Sequence, residues 1–147
     1  MLSNFKLTVV VIFCFVLMAC SVEQKPISYG KDACHYCKMN IVDQQHASEI
    51  VTKKGKVFKY DAIECMINDF DNNRAENVAL FLVMDYKNPN NFLDAKLATY
   101  LISENITSPM NGNLSAFKTE TEAKEMQTLK SGNCYSWQEL LTLSFKN

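Results

Sequence analysis

An uncharged apolar run near the N terminus, Leu7–Ala19, decides which part of this 147-residue chain can build a domain. The run has 13 residues and follows Lys6, which is typical of a signal peptide and too short for a stable transmembrane anchor. No longer apolar run occurs, so the sequence does not encode a polytopic transporter or channel. We therefore expect residues 1–19 to be a signal peptide and the remainder to fold around one modest core.

The end of this run resembles a bacterial lipobox. It reads Leu17-Met18-Ala19-Cys20, and by that resemblance Cys20 becomes the mature N terminus and carries lipid on its sulfur and amine. The alternative is an ordinary signal peptide, or an uncleaved anchor, with a chance cysteine. Ser21 stands where an aspartate would signal retention at the inner membrane. We therefore expect a lipid anchor in the outer membrane facing the periplasm, with residues 20–30 as lipidated terminus and spacer.

Charge and motif content exclude several functions. The chain has 15 Lys and Arg against 16 Asp and Glu and no basic run of five, so nucleic acid is not an expected partner. It contains no G-x-S-x-G, P-loop or H-E-x-x-H motif, and we expect no enzymatic turnover. The six Cys and seven Met against two His instead favour soft sulfur ligands.

The first half of the mature chain predicts a ββαβ unit. Ser48–Lys53 and Lys56–Tyr60 are β-rich and flank a Lys54-Gly55 turn, as in a hairpin. Asp61 is the expected N-cap of a helix ending near residues 71–73, and the following apolar run Val78–Tyr86 predicts a central strand. The apolar positions of the helix share one face, namely Ile63, Met66, Ile67 and Phe70.

The second half repeats this order more loosely. Strands are expected near Leu97–Ser103 and Leu114–Phe117, and a capping box at Thr119–Glu122 opens a helix that stops at Gly132. Cys134 then falls in an expected loop. A second box, Ser136–Glu139, starts a terminal helix, unless this segment continues the sheet. The sequence thus predicts an α+β fold with two tandem ββαβ halves. The first half covers residues 31–87 and includes a cysteine-rich turn, the knuckle, around Cys34–Met39, and the second covers residues 92–147.

The strongest chemical signal is the block Cys34-His35-Tyr36-Cys37-Lys38-Met39. A C-x2-C pair fits a thiol–disulfide redox centre, half of a structural zinc site or part of a soft-metal site, and spacing alone does not choose. A thioredoxin-type pair normally begins a helix, but the β-branched and turn-like residues 40–43 follow. A closed zinc site needs a second close pair of ligands, whereas His46, Cys65 and Cys134 are scattered.

Methionine favours the soft-metal interpretation. A thioether such as that of Met39 is a good ligand for Cu(I) and a poor one for zinc or hard ions. Met110 lies in a Ser-Pro-Met-Asn-Gly turn, where an apolar side chain has less reason to be if it only fills the core. His46 could add an imidazole. Each also has a structural alternative, Met39 and Met110 as packing residues and His46 as a loop histidine.

Disulfides remain an alternative for the thiols. In an oxidising compartment Cys34 and Cys37 would be expected to pair unless metal or a reductant prevents it. With Cys65 and Cys134 they allow three full pairings, among which the sequence does not select. A periplasmic thiol–disulfide oxidoreductase using Cys34 and Cys37, or a disulfide-stapled interaction module, therefore stays open.

The sequence resembles the NosL family of lipoproteins, which are associated with maturation of the copper centres of nitrous oxide reductase. The lipobox, the Asp32–Met39 block, and the single residues and short motifs that follow it carry the resemblance. These later features are Ile41, Asp43, His46, Gly55, Lys59-Tyr60-Asp61 and Ser108-Pro109-Met110. Where family members typically have C-G-M and Phe-Asp, this chain has Cys37-Lys38-Met39 and Tyr60-Asp61, and the lost glycine matters if that position needs a positive φ.

The resemblance implies a Cu(I)-binding chaperone with two ββαβ halves. Its expected recipient is a cuproenzyme, nitrous oxide reductase. Carried over residue by residue, the implied ligands are Cys37, Met39 and Met110, with Cys34 and His46 as further candidates. One thiolate, Cys37, would balance the charge of one Cu(I) in a three-coordinate, partly exposed site.

Overall fold

The computed structural model describes residues 21–70, 77–143 and 145. The expected signal peptide and the lipobox with Cys20 lie outside these residues. Within the described part of the chain, no helix combines the length and apolar content that crossing a membrane requires.

The first half forms a four-stranded antiparallel sheet with one helix. Strands β1 (Ser48–Thr52) and β2 (Val57–Tyr60) make the expected hairpin, whose turn contains Gly55 at a φ of 77°. Helix α1 (Ile63–Asp69) connects this hairpin to strand β3, and β4 adds an edge, giving the order β2-β1-β3-β4. Strand β3 covers Val78–Met84 and β4 covers Phe92–Asp94. The expectation that β3 is central is confirmed.

The second half repeats the connectivity with a smaller sheet. Strands β5 (Thr99–Ile102) and β6 (Leu114–Phe117) pair antiparallel, and helix α2 (Glu120–Lys130) leads to β7 (Asn133–Ser136) on the other side of β5. The order β6-β5-β7 matches β2-β1-β3. A short helix α3, Trp137–Leu140, follows. The predicted α+β fold with two ββαβ halves is confirmed.

Both expected capping boxes are present. The Thr119 hydroxyl accepts from the Glu122 N–H and the Glu122 carboxylate accepts from the Thr119 N–H, which fixes the start of α2. Ser136 and Glu139 make the same pair of bonds at α3, so this segment is a helix and does not continue the sheet.

The two halves share one core. Buried side chains of the first half, such as Ile63 and Met66, belong to the same cluster as Leu114 and Trp137 of the second. A parallel bridge between Asp85 and Ala116 also joins the sheets, with the Tyr86 N–H donating to the Ala116 carbonyl at 2.9 Å. Packing of this kind fixes the loops of one half relative to the helix of the other.

Two local expectations were wrong, and two strands were not predicted. Asp61 is not the N-cap of α1, because Ala62 occupies that position and no side chain caps this end. Cys134 lies in strand β7 and not in a loop. Strands β4 and β7 were not predicted, since their short segments lack a period-two apolar pattern and become strands by pairing with β3 and β5.

The segment expected to be a spacer contacts the first sheet. The Lys25 N–H donates to Glu49 Oε2 at 3.1 Å, and the Lys59 ammonium donates to the Pro26 carbonyl at 2.7 Å. Ile27 and Tyr29 are partly buried against the shared core. Residues 25–29 therefore cover the face of the sheet on which Glu49 is fully buried.

Candidate metal centre

The C-x2-C-x-M block folds as a tight knuckle. Ala33 and Asn40 form an isolated antiparallel bridge, and the Cys34 N–H donates to the Met39 carbonyl at 2.8 Å. The Lys38 N–H returns to the Cys34 carbonyl at 3.1 Å. Lys38 has a φ of 68°, the left-handed region that glycine adopts at low cost, and it stands where the family typically has glycine. The replacement of glycine by Lys38 therefore keeps the turn but places a residue with a side chain in a strained backbone conformation.

The knuckle is fastened to the edge of the first sheet. The His35 N–H donates to the Lys59 carbonyl at 2.8 Å, and the His35 and Phe58 ring centroids are 4.5 Å apart. The Lys59 ammonium lies 2.6 Å from the Asp32 carboxylate, which keeps the pKa of that carboxyl below its usual range. These contacts hold the knuckle against the end of β2, where the chain turns into α1.

Four ligand atoms converge between the knuckle and α1. They belong to Cys34, Cys37, Asp61 and Cys65, and all lie within 4.8 Å of one another. Asp61 lies just before the N-cap Ala62 and Cys65 lies in the first turn of α1, and the ligand atoms of both lie beside those of the knuckle. Cys34, Asp61 and Cys65 are buried, whereas Cys37 is half-exposed. The cluster therefore has a closed inner side and an open side at Cys37.

Hydrogen bonds within the cluster divide the thiols into two kinds. The Cys65 thiol donates to Cys34, which lowers the pKa of Cys34 to about 6 and raises that of Cys65. The Cys37 thiol lies 3.5 Å from each carboxylate oxygen of Asp61, and burial raises its pKa to about 11. Cys34 is thus the most acidic of the three thiols in the cluster.

Three sulfurs and one oxygen at this spacing suit a small, soft cation. Thiolate sulfur is the preferred donor for Cu(I), and a thiol that becomes a ligand must lose its proton. The sequence-based hypothesis that Cys37 binds copper as the thiolate stays a prediction.

Of the predicted ligands, the structure brings Cys34 and Cys37 together. Met39 is 57% exposed, two residues beyond Cys37. Met110 is half-buried and packs against the core cluster that includes Cys34 and Cys65. The ligand set that the resemblance implies remains a prediction.

His46 is held in a separate buried network. Its Nδ1 lies 2.9 Å from Asp43 Oδ1, and its Nε2 lies 3.2 Å from the Ser115 hydroxyl on β6. The side chain is 2% exposed and is not among the four groups of the cluster. With both ring nitrogens engaged, His46 ties the two halves together at this position.

Asp61 and Cys65 are the cluster members that the sequence did not predict as ligands. From the sequence, Asp61 is expected to be a helix N-cap and Cys65 is one of the scattered thiols. The available signal was their closeness in the chain at the entrance to the helix, with Asp61 just before the N-cap Ala62 and Cys65 in the first turn. The position of that entrance beside the knuckle follows only from the tertiary fold.

The structure holds the four described cysteines as free thiols. Cys134 packs against a second core cluster, formed around Leu101 and Phe117 of the second half, whereas Cys65 belongs to the shared core. A Cys65–Cys134 disulfide is therefore not formed. Residues 31–40 contain turns and a single bridge and no helix, so the C-x2-C pair lacks the helix N-terminus of a thioredoxin-type centre.

Comparison with known proteins decides the family. The family model NosL matches residues 27–143. The chain belongs to the NosL family. The crystal structure of the copper chaperone NosL from Shewanella denitrificans is similar, with a TM-score of 0.72 and 20% identity over 83% of this chain and 98% of that one. No curated protein matches the sequence. The family match covers the knuckle and all the strands and helices described, since it begins before the knuckle and extends beyond α3.

Proposed function

We propose that this NosL family member is a lipid-anchored periplasmic chaperone that binds Cu(I) and delivers it to a cuproenzyme, nitrous oxide reductase. One observation carries the proposal, namely the convergence of three thiols and a carboxylate within 4.8 Å in a chain of this family. The similar solved structure is that of a copper chaperone, which supports copper as the cargo. In this role the protein transports copper and catalyses no reaction.

The order of ligands around the cluster supports transfer by ligand exchange. Cys34 and Cys65 are buried, Cys37 is half-exposed, and Met39 projects into solvent. Because the more exposed of these groups lie on the knuckle, a recipient's ligands would replace Met39 and Cys37 before the buried sulfurs release the ion. Copper then passes between proteins without becoming free. Cu(I) binding to Cys37 releases a proton, because the pKa of this thiol is raised by burial.

Copper uptake is the decisive measurement. The purified protein, reduced and anaerobic, should bind about one Cu(I) per chain in competition with a chromogenic Cu(I) chelator. Met39→Ala and Met110→Ala should each weaken binding, whereas Met126→Ala, on the outer helix of the second half, should not. Equal affinity in the wild type and both ligand variants would refute the proposed thioether ligands, and failure of the wild type to take up copper would refute the function.

The competing oxidoreductase has its own signature. Turnover of a disulfide substrate that Cys34→Ser abolishes, without copper uptake, would replace the chaperone by a redox enzyme. The location is tested separately, since Cys20→Ala should prevent incorporation of labelled fatty acid and release the protein from the membrane fraction.

A further inference from the structure

A buried carboxylate joins the cysteine cluster to the loop that carries Met110. Glu64 precedes Cys65 on α1, is 1% exposed, and faces the second half of the molecule. The Ser108 hydroxyl donates to Glu64 Oε1, and the Leu114 N–H reaches the same oxygen at 3.4 Å. One carboxylate oxygen thus accepts hydrogen bonds from both ends of the segment 108–114.

The segment is closed around this carboxylate by its own hydrogen bonds. The Asn113 N–H donates to the Ser108 hydroxyl at 2.8 Å, and the Asn111 N–H donates to the Ser108 carbonyl at 3.0 Å. Asn111 and Asn113 both have a φ of 57°, so the loop needs residues that tolerate the left-handed region. Met110 lies inside this closed turn, and its position is set by where Ser108 is held.

Gly112 permits the close approach. A Cβ atom at this position would come closer to Cγ, Cδ and Oε1 of Glu64 than non-bonded atoms can. Glu64 lies against the Met110 loop and directly precedes Cys65 of the cluster. The loop is therefore fitted to the Glu64 side chain by shape as well as by hydrogen bonding.

We propose that Glu64 is a positioning residue that fixes the Met110 thioether at the copper cluster. This inference rests on the proposed function, since it assigns a purpose to the Met110 loop only if Met110 binds Cu(I). Glu64 itself supplies no ligand. Its role is to hold the Met110 loop against α1, the helix that carries Cys65, so that Met110 keeps a fixed position relative to Cys65.

A double-mutant cycle in the full chain, purified in detergent, tests the proposal with Cu(I) alone as the probe. Glu64→Ala and Met110→Leu should each lower Cu(I) affinity by about tenfold or more, and the double variant should bind no more weakly than either single variant. X-ray absorption should count one sulfur fewer around copper in all three. Glu64→Gln should bind like the wild type, because its amide oxygen can accept both hydrogen bonds.

Two further variants keep the test decisive. Gly112→Ala should reproduce the loss in Glu64→Ala while leaving every proposed ligand and the carboxylate in place, and it serves as the test if Glu64→Ala does not fold. Glu49→Gln alters another buried glutamate that does not touch the loop, and it should leave copper affinity unchanged.

The outcomes separate the two claims. Independent, multiplicative losses in the double variant, or an unchanged sulfur count in Glu64→Ala or Gly112→Ala, overturn the positioning role while wild-type copper uptake leaves the chaperone function standing. No effect of Met110→Leu also overturns it. If the wild type takes up no Cu(I), the proposed function itself fails.

Discussion

Glu49 makes the stability of this fold depend on pH in a direction that can be worked out. The side chain is fully buried on β1 beneath residues 25–29, and its Oε1 has no hydrogen-bond partner among the described residues. Burial raises its pKa from the ordinary value of 4.5 to about 7, although the Lys25 N–H and the Lys59 ammonium partly oppose the shift.

The sign follows from proton linkage. In the pH range between 4.5 and about 7 the folded state keeps a proton on Glu49 that the unfolded chain has lost. The free energy of unfolding therefore contains a favourable contribution that is complete below pH 4.5 and is lost as the pH rises through 7. At about 1.4 kcal/mol per pKa unit, the loss amounts to about 3 kcal/mol at pH 8.

Glu49→Gln removes the titration while keeping the size and the acceptor for the Lys25 N–H. We expect the variant and the wild type to have similar unfolding free energies at pH 5, and the variant to be more stable by about 3 kcal/mol at pH 8. Urea unfolding at several pH values between 5 and 8.5 measures this difference, with the exposed Glu104→Gln as the matched control. Parallel pH profiles of the Glu49→Gln variant and the wild type would refute the reasoning.

Three further changes test the knuckle, the cluster and the joint between the halves. Lys38→Gly should raise the free energy of unfolding by up to about 1 kcal/mol, measured by thermal unfolding, because Lys38 occupies the left-handed region. Cys65→Ser should lower Cu(I) affinity in chelator competition, whereas Cys134→Ser, outside the cluster, should not. Ser115→Ala should cost about 1–3 kcal/mol in urea unfolding, since it leaves the buried His46 Nε2 without its partner, and an unchanged midpoint would contradict that role.

The elements that the sequence predicted are those with strong local signals. The hairpin around Gly55, the apolar strand β3 and both capping boxes are encoded within a few residues, and each forms as expected. Strand β7 was missed because its residues Asn133–Ser136 carry no strand pattern and are selected by pairing with β5.

The candidate site was predictable only in part for a similar reason. The C-x2-C spacing identifies Cys34 and Cys37 as candidate ligands within one short block of sequence. Cys65 and Asp61 join them because α1 begins where β2 ends beside the knuckle, which is a long-range relation that no local pattern contains. The buried state of His46 likewise depends on Ser115, which is 69 positions away in the chain.

The contact between Lys25 and Glu49 also limits the distance between the folded domain and its lipid anchor. If Cys20 carries the lipid, as proposed, four residues lie between it and Lys25, the first fixed point of the domain. The five Cα–Cα steps reach at most about 18 Å when fully extended. Copper would then be handed over within a shallow layer at the bilayer surface. A recipient must come into that layer, and lengthening the tether should widen the zone in which the two proteins can meet.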